Sequence, residues 1–294
     1  MIPKRIFQTF SHKSFEPPFQ KFIDDWKIEN ENFEYIFYDD DDSEYFIRNN
    51  FPAEVYDAYI RIIPPALKAD LWRYCVLYTY GGFYADIDIA CLGSLERFVN
   101  LDTEFVTPID LNIGDLEYHN LYNAFIGSIP KHPILKKCID RIVLSIKKQE
   151  LPRENLMNFA GPGCLGIAVN EYLKRPPKAP MVDLHEKRPY LKMTDRFPLT
   201  TFNPTEAQEP ILNISRKLIA PRALQGKYSK VDLIKFEQFS QYIRDLDGKK
   251  ILQNKGGLLF LEQCYKFECQ KVKNYVDWGQ FGFINVPFDR IVKP

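Results

Sequence analysis

Residues 81–88 have the sequence Gly81-Gly82-Phe83-Tyr84-Ala85-Asp86-Ile87-Asp88, in which a paired-glycine turn and a short aromatic strand lead into two carboxylates. Side chains two positions apart lie on the same face of a strand, so we expect Asp86 and Asp88 to project together while Ile87 is buried. Hard divalent cations bind oxygen ligands and commonly combine one or two carboxylates with substrate phosphates and water. The stretch therefore predicts a metal–phosphate site, although the same pattern is also typical of a turn that caps a helix.

The segment before this stretch predicts a helix from Ala66 to Tyr80. Pro64-Pro65 favours a helix start, and the paired glycines favour a helix stop followed by a permissive turn. Asp70 and Arg73 are three residues apart and therefore share a face of this helix. They form either a surface ion pair of little energetic consequence or part of the same pocket as the two carboxylates.

The N-terminal residues predict the beginning of a parallel sheet. A strand at 5–10 is followed by a helix from about Phe19 to Ile28 and a second strand from Phe33 to Tyr38. Strand, helix and strand in this order are typical of an α/β fold. The acidic tract 39–42 lacks the glycine and the terminal glutamate of an EF-hand loop, so we expect it to cap a helix from Glu44 to Asn49.

The rest of the chain predicts further helices separated by irregular connections. Periodicity predicts a strand at 105–108, helices at 133–148, 164–173 and 232–246, and a buried element at 258–261. Prolines and charged residues are frequent from 175 to 217, which favours long connections. No boundary between domains is evident, so we expect a single domain over residues 1–294.

The composition excludes several classes of function. The 294 residues are 45% hydrophobic and carry 39 basic and 39 acidic residues, and without a Lys/Arg-rich stripe we expect no nucleic-acid partner. The six cysteines are scattered without a Cys-x-x-Cys pair, which indicates reduced thiols in a cytoplasmic protein. Because the sequence shows neither a signal peptide nor an apolar run of about 20 residues, we expect at most a peripheral association with the inner face of a membrane.

Three motifs, in order and at close spacing, carry a resemblance to a known family. They are Ile2-Pro3-Lys4-Arg5-Ile6-Phe7-Gln8-Thr9, Ala69-Asp70-Leu71-Trp72-Arg73-Tyr74 and Gly81-Gly82-x-Tyr84-x-Asp86-x-Asp88, with fainter matches at 122–133 and 161–163. They resemble the sugar-binding region, containing the Asp-x-Asp motif, of glycosyltransferase family 32. That family includes yeast-type mannosyltransferases and bacterial capsule and lipopolysaccharide enzymes, and the clostridial glucosylating toxins are similar at the same motifs.

The resemblance implies a GT-A fold, with a mostly parallel, Rossmann-like central sheet flanked by helices and an irregular helical C-terminal part. It implies retaining transfer from a nucleotide-diphosphate sugar, with Mn²⁺ or Mg²⁺ as the cofactor. Residues 1–130 would bind the nucleotide sugar and the metal, and residues 131–294 would form the acceptor side. Glycosyl transfer builds up charge on the diphosphate leaving group, and a Lewis-acid metal stabilises such charge.

The resemblance also implies roles for individual residues. Asp70, Arg73, Asp86 and Asp88 would form the catalytic group, in which Asp70 and Arg73 hold the donor sugar. Asp88 would ligate the metal, and Asp86 would contact either the metal or the donor ribose. The remaining donor-binding residues would be Asn123 at the sugar and Phe7, Gln8 and Thr9 in the base pocket.

The C-terminal part departs from the family pattern, which has a late histidine or serine closely followed by tryptophan. No histidine follows His185, and the nearest match is Asn274-Tyr275-Val276-Asp277-Trp278-Gly279. Asp277 would then be the third metal ligand and Trp278 would cover the diphosphate, unless Trp278 is a core residue.

The sequence therefore predicts a metal-dependent hexosyltransferase. We expect a UDP-hexose donor, galactose or glucose, in preference to GDP-mannose, and a glycan or lipid-linked oligosaccharide acceptor in capsule or lipopolysaccharide synthesis. Two carboxylates on one face fit metal binding better than attack and protonation from opposite sides of a sugar, so a glycoside hydrolase ranks lower. The departure near the C-terminus leaves a second hypothesis open, a degenerate domain that binds a nucleotide sugar without catalysis.

Overall fold

The computed structural model describes most of the first 181 residues and four short segments beyond them. The described residues are 1–15, 17–91, 93–97, 99, 101–109, 119–150, 156–181, 231–237, 242–244, 250–254 and 291–293. The helices are α1 (Pro17–Glu29), α2 (Asp40–Asn50), α3 (Ala53–Arg61), α4 (Pro65–Tyr80), α5 (Pro133–Lys148) and α6 (Pro162–Tyr172). The strands are β1 (Arg5–Thr9), β2 (Glu34–Tyr38), β3 (Gly82–Ala85), β4 (Ile89–Cys91), β5 (Phe105–Ile109), β6 (Phe125–Ser128), β7 (Val231–Glu237), β8 (Tyr242–Arg244) and β9 (Lys250–Asn254).

The strands form one mixed sheet in the order β2-β1-β3-β6-β5-β7-β8-β9-β4. Parallel pairing joins β1 to β2, β1 to β3 and β5 to β7. The other pairs between described strands are antiparallel. The expected α/β class is confirmed, and the N-terminal strand, helix and strand form the expected parallel unit, but the sheet as a whole is mixed rather than mostly parallel.

The sheet separates two hydrophobic cores, because successive side chains of a strand point to opposite faces. In β3, Tyr84 belongs to the core that contains residues of α2 to α6. Its neighbours Phe83 and Ala85 belong to the opposite core, which contains Trp26 of α1. Helix α4 lies deep in the first core, where all eight residues from Asp70 to Leu77 are buried. A helix buried on every side places its polar residues in a low-dielectric environment.

The acidic tract caps α2, as its sequence predicts. Asp39 is the N-cap, and its Oδ1 accepts a hydrogen bond of 2.8 Å from the backbone N–H of Asp42. The Asp42 side chain accepts in return from the Asp39 backbone N–H at 3.3 Å. This reciprocal pair is a capping box, and Lys13 adds ion pairs of 3.2 Å to Asp39 and 2.6 Å to Asp42.

The paired glycines allow the sharp passage from α4 into β3. Gly81 ends the helix with a φ of 64°, and its N–H donates to the Leu77 carbonyl at 2.8 Å. Gly82 follows with a φ of 104°, which L side chains rarely adopt. A Cβ on Gly82 would lie 2.8 Å from the Arg5 carbonyl oxygen. Strand β3 can therefore approach β1 only because this position has no side chain.

The C-terminal expectations are partly wrong. The helix predicted at 232–246 is replaced by β7 and β8, because β5 has an open edge that β7 fills by parallel pairing and β8 pairs back on β7. The described C-terminal part is therefore a group of strands rather than an irregular helical region. The element predicted at 258–261 and the connections at 182–217 lie outside the described residues. Among the helices that the structure describes, none has the length and apolar character needed to cross a bilayer.

Candidate donor-sugar and metal site

The two carboxylates of the opening stretch lie in a tight turn rather than in a strand. Strand β3 ends at Ala85, and β4 begins at Ile89, whose N–H donates to the Asp86 carbonyl at 3.1 Å. The Asp86 N–H donates to the Ala124 carbonyl at 2.9 Å. Ile87 is buried, as expected, and packs against α1. The turn therefore presents Asp86 and Asp88 where β3 leaves the sheet.

Arg73 is the centre of a buried network. Its Nη2 lies 3.2 Å from Oδ1 of Asp70 and 3.2 Å from Oδ1 of Asp86. Its Nη1 donates to the Asn123 carbonyl at 2.8 Å, and its Nε donates to the Ala69 carbonyl at 3.3 Å. Asp70 and Arg73 share a helix face, as their spacing predicts, but the pair is buried rather than at the surface. One guanidinium thus connects α4, the turn and the segment before β6.

Asn123 lies where the sequence places it, beside the sugar-binding candidates. Its Nδ2 donates to Asp70 Oδ1 at 2.7 Å and to the Tyr74 hydroxyl at 3.3 Å. The Tyr74 hydroxyl donates in turn to the Ala160 carbonyl at 2.8 Å, which brings the start of α6 to the same site. A Cβ on Gly161 would lie 3.5 Å from Asp70 Oδ2, so the second oxygen of Asp70 points towards the loop that begins α6.

Tyr84 is a site residue that we did not predict as such. Its hydroxyl donates a short hydrogen bond to Asp86 Oδ1, and the Arg73 guanidinium lies 4.4 Å from the centre of its ring. A cation over an aromatic face is attracted by the ring, so Tyr84 contacts both partners of the ion pair. The available signal in the sequence was its position two residues before Asp86.

Burial dominates the electrostatics of the pair. Desolvation raises the pKa of Asp70 to about 6, although Arg73 acts in the opposite direction. For Arg73, burial lowers the pKa, but the carboxylate of Asp86, Tyr84 and the carboxylate of Asp70 together raise it above its ordinary value. The guanidinium therefore remains charged, while Asp70 is a carboxylate held in an environment that disfavours its charge.

Asp88 has the features of a metal ligand. Its Oδ1 is buried and makes no hydrogen bond. Desolvation, followed by repulsion from Asp86, raises the pKa of Asp88 to about 7. A buried carboxylate oxygen without a donor is costly, and a divalent cation would remove that cost. The two carboxylates of the turn therefore fit a cation with oxygen ligands.

The described residues do not supply a third His, Cys, Asp or Glu ligand beside Asp86 and Asp88. Within those residues, no group of three or more His, Cys, Asp or Glu side chains could hold a metal ion. Asp277 and Trp278, the candidates from the C-terminal segment, lie outside the described residues. Their roles stay predictions.

The three residues predicted for the base pocket lie in β1, and their side chains make different contacts. Phe7 is fully buried in the helix-side core and stacks on Tyr80 with 6.1 Å between ring centres, so its place in a base pocket stays a prediction. The Thr9 hydroxyl donates to the Tyr38 carbonyl at 2.9 Å. Gln8 is also fully buried, with its Nε2 donating to the Asp86 carbonyl at 3.1 Å. Only Gln8 of the three contacts the carboxylate turn.

Comparisons with known proteins agree with this site. Residues 17–106 match the family model described as "Glycosyltransferase sugar-binding region containing DXD motif". An uncharacterized glycosyltransferase of Acanthamoeba polyphaga mimivirus is 30% identical over 179 residues, which cover 60% of this chain and 68% of that protein. The initiation-specific alpha-1,6-mannosyltransferase of Schizosaccharomyces pombe is 28% identical over 194 residues, which cover 58% of this chain and 49% of that protein.

A solved structure is also similar to this chain, and the matched regions cover only part of each relative. PaToxG glycosyltransferase aligns with 71% of this chain and 83% of its own, at 17% identity and a TM-score of 0.47. The chain spans about half the length of the S. pombe mannosyltransferase that it matches. The match to the mimivirus protein nevertheless covers more than two thirds of that relative. Since both the motifs and this relative agree, the chain belongs to the family of glycosyltransferases whose sugar-binding region contains the DXD motif.

Proposed function

We propose that this chain is a retaining, divalent-metal-dependent glycosyltransferase of the GT-A kind, which moves a hexose from a nucleotide-diphosphate sugar to a glycan or lipid-linked acceptor. The observation that carries the proposal is the network around Arg73, which joins Asp70, Asp86 and Asn123 beside the unpartnered Oδ1 of Asp88. An ordinary stabilising ion pair does not need a neighbouring carboxylate oxygen that is buried without a donor. A binding site for a cation and a polar ligand does.

Each described residue has a defined task in this proposal. Asn123 fixes Asp70 Oδ1, which leaves Asp70 Oδ2 to accept a hydrogen bond from a sugar hydroxyl. Each nitrogen of the Arg73 guanidinium lies next to a protein acceptor, so we assign Arg73 to orienting the two carboxylates and compensating their charge rather than to contacting the leaving group. Because these contacts exist before the donor binds, little reorganisation is required at the moment of transfer.

Asp86 and Asp88 would hold the cation. When bound there, Mn²⁺ or Mg²⁺ would supply positive charge for the diphosphate leaving group. Asp86 Oδ1 is occupied by Arg73 and Tyr84, so its other oxygen would be the one to contact the cation or the ribose. Donor phosphates and water complete such a coordination sphere in many magnesium and manganese sites.

The sugar is the part of the proposal that the relatives influence most. The sequence favours UDP-galactose or UDP-glucose, whereas several relatives are named as mannosyltransferases, among them an inositol phosphoceramide mannosyltransferase of S. pombe that is 31% identical over 189 residues. We therefore place GDP-mannose first among the donors to test and UDP-hexoses second. Relatives named for lipid acceptors support keeping a lipid-linked acceptor beside a glycan.

The test measures thermal unfolding of the full chain with UDP or GDP, each with and without Mn²⁺. A ligand that binds only the native state raises the unfolding midpoint by mass action. We expect one nucleotide to raise the midpoint only when Mn²⁺ is present, and the effect to disappear in Asp88→Asn, which keeps the shape of the side chain but lowers its affinity for a cation.

Hydrolysis of a panel of nucleotide sugars then identifies the donor, since a glycosyltransferase without acceptor slowly passes the sugar to water. Asp140→Asn is the matched control, because Asp140 is an exposed carboxylate on α5 whose described partner is Lys136. An unfolding midpoint of the wild-type protein that no nucleotide raises, with or without metal, would contradict the proposal. Binding without turnover of any donor would instead favour the degenerate, non-catalytic domain.

A further inference from the structure

We infer that Gln8, Tyr35 and Trp26 form a support behind the Asp86–Asp88 turn, and that they are positioning residues for its two carboxylates. This support rests on the proposed metal site and extends it to residues that do not touch the ligand. A three-residue turn has few internal contacts of its own. Its shape therefore depends on what its backbone is attached to.

Gln8 and Tyr35 hold the first carbonyl of the turn. Gln8 Nε2 donates to the Asp86 carbonyl at 3.1 Å, while its Oε1 accepts from the Tyr35 hydroxyl at 2.7 Å. The Tyr35 bond fixes which end of the amide faces Asp86, because the oxygen of Gln8 is already occupied by a donor. Burial raises the pKa of Tyr35, with a smaller contribution from Asp24, so the hydroxyl keeps its proton for this bond.

Trp26 holds the other end of the turn. Its Nε1 donates to the Ile89 carbonyl at 2.7 Å, and its side chain is fully buried. Between these two anchors, the Ile87 side chain packs with Phe22 and Ile23 of the same helix. Helix α1 and the Gln8–Tyr35 pair thus contact the Asp86 carbonyl, the Ile87 side chain and the Ile89 carbonyl, and the contacts to the two carbonyls flank the turn on both sides.

This arrangement separates support from ligation. Groups that orient ligands from outside the coordination sphere typically change metal affinity by about tenfold to a hundredfold when removed. Here the support acts through backbone carbonyls rather than through the carboxylates themselves. Loss of the support would let the turn relax and would move Asp88 relative to Asp86, without changing the charge of the site.

The test titrates Mn²⁺ into the full chain and follows free Mn²⁺ by electron paramagnetic resonance, with and without GDP. We expect Tyr35→Phe to weaken Mn²⁺ binding about fivefold and Gln8→Met about tenfold. The double variant should be no weaker than Gln8→Met alone, because the hydroxyl acts only through the amide.

Tyr56→Phe is the matched control, since it also removes a tyrosine hydroxyl hydrogen bond, to Glu44 Oε1 at 3.0 Å, far from the turn in sequence and on α3. If Gln8→Met does not fold, the Mn²⁺ affinity of Tyr35→Phe is sufficient to test the inference. Wild-type affinity for Mn²⁺ in a folded Tyr35→Phe protein, or strictly additive losses in the double variant, would overturn the inference. Failure of the wild-type chain to bind Mn²⁺ would instead overturn the proposed metal site itself, and the inference with it.

Discussion

Replacement of Asp70 by asparagine is expected to stabilise the protein while it removes function. Asparagine has the size of a protonated aspartate and can still accept the hydrogen bond that Asn123 donates to Oδ1 of residue 70. What the change removes is a negative charge that is only 8% exposed. In the proposed role, Asp70 binds the donor sugar and does not need to stabilise the fold, and its buried charge in fact destabilises the folded state.

The size of the effect follows from the pKa of Asp70. Burial raises it from 3.8 to about 6, a difference of about 2 pH units, and each unit corresponds to 1.36 kcal/mol. Because the folded pKa lies above the unfolded one, the folded state binds the proton more tightly. The destabilisation is therefore absent below pH 3.8, grows as the pH rises to about 6, and stays near 3 kcal/mol above that pH.

The assay is thermal unfolding of wild-type and Asp70→Asn proteins in EDTA over a pH series. The two midpoints should coincide near pH 4 and should differ by about 5 °C in favour of the variant at pH 8. Transfer or donor hydrolysis by the variant should fall roughly a hundredfold. A variant that is less stable than wild type at pH 8, or a difference that does not change with pH, would refute the reasoning, because Arg73 would then outweigh burial.

Two further substitutions test the site and the fold. Tyr84→Phe keeps the aromatic ring next to Arg73 but removes the hydroxyl that donates to Asp86. Donor turnover should therefore fall about tenfold, while the unfolding midpoint stays nearly unchanged. Turnover equal to that of the wild type would show that Tyr84 only fills the core. Gly82→Ala places a Cβ 2.8 Å from the Arg5 carbonyl at a φ of 104° and should lower the free energy of unfolding by about 2–4 kcal/mol in urea. Gly161→Ala is its control, because the nearest atom would be 3.5 Å away; similar losses in both variants would contradict the steric argument.

Local signals predicted several of the helices and one of the site contacts. The caps of α2 and α4, the amphipathic helix α5 and the shared face of Asp70 and Arg73 depend on residues close in sequence, so spacing alone identifies them. The buried state of that pair was left open, because it depends on how deeply α4 lies in the core.

Contacts between distant residues could not be predicted in the same way. Phe7 and Gln8 are adjacent, yet one side chain enters the core and the other reaches the carboxylate turn. The position of the turn next to Gln8 depends on how β3 pairs with β1. Likewise, residues 231–237 have apolar side chains compatible with either period, and the open edge of β5 selects the strand.

The paired glycines also have a consequence for redesign. They connect α4 directly to β3, so Asp70, Arg73, Asp86 and Asp88 all belong to one continuous segment, residues 65–88. The spacing between Asp70 and the Asp86–Asp88 turn is therefore fixed within a single short segment of the chain rather than by distant loops. That segment, kept together with β1 and α1, is the unit to leave intact in chimeras that exchange the region after residue 130, which we propose as the acceptor side.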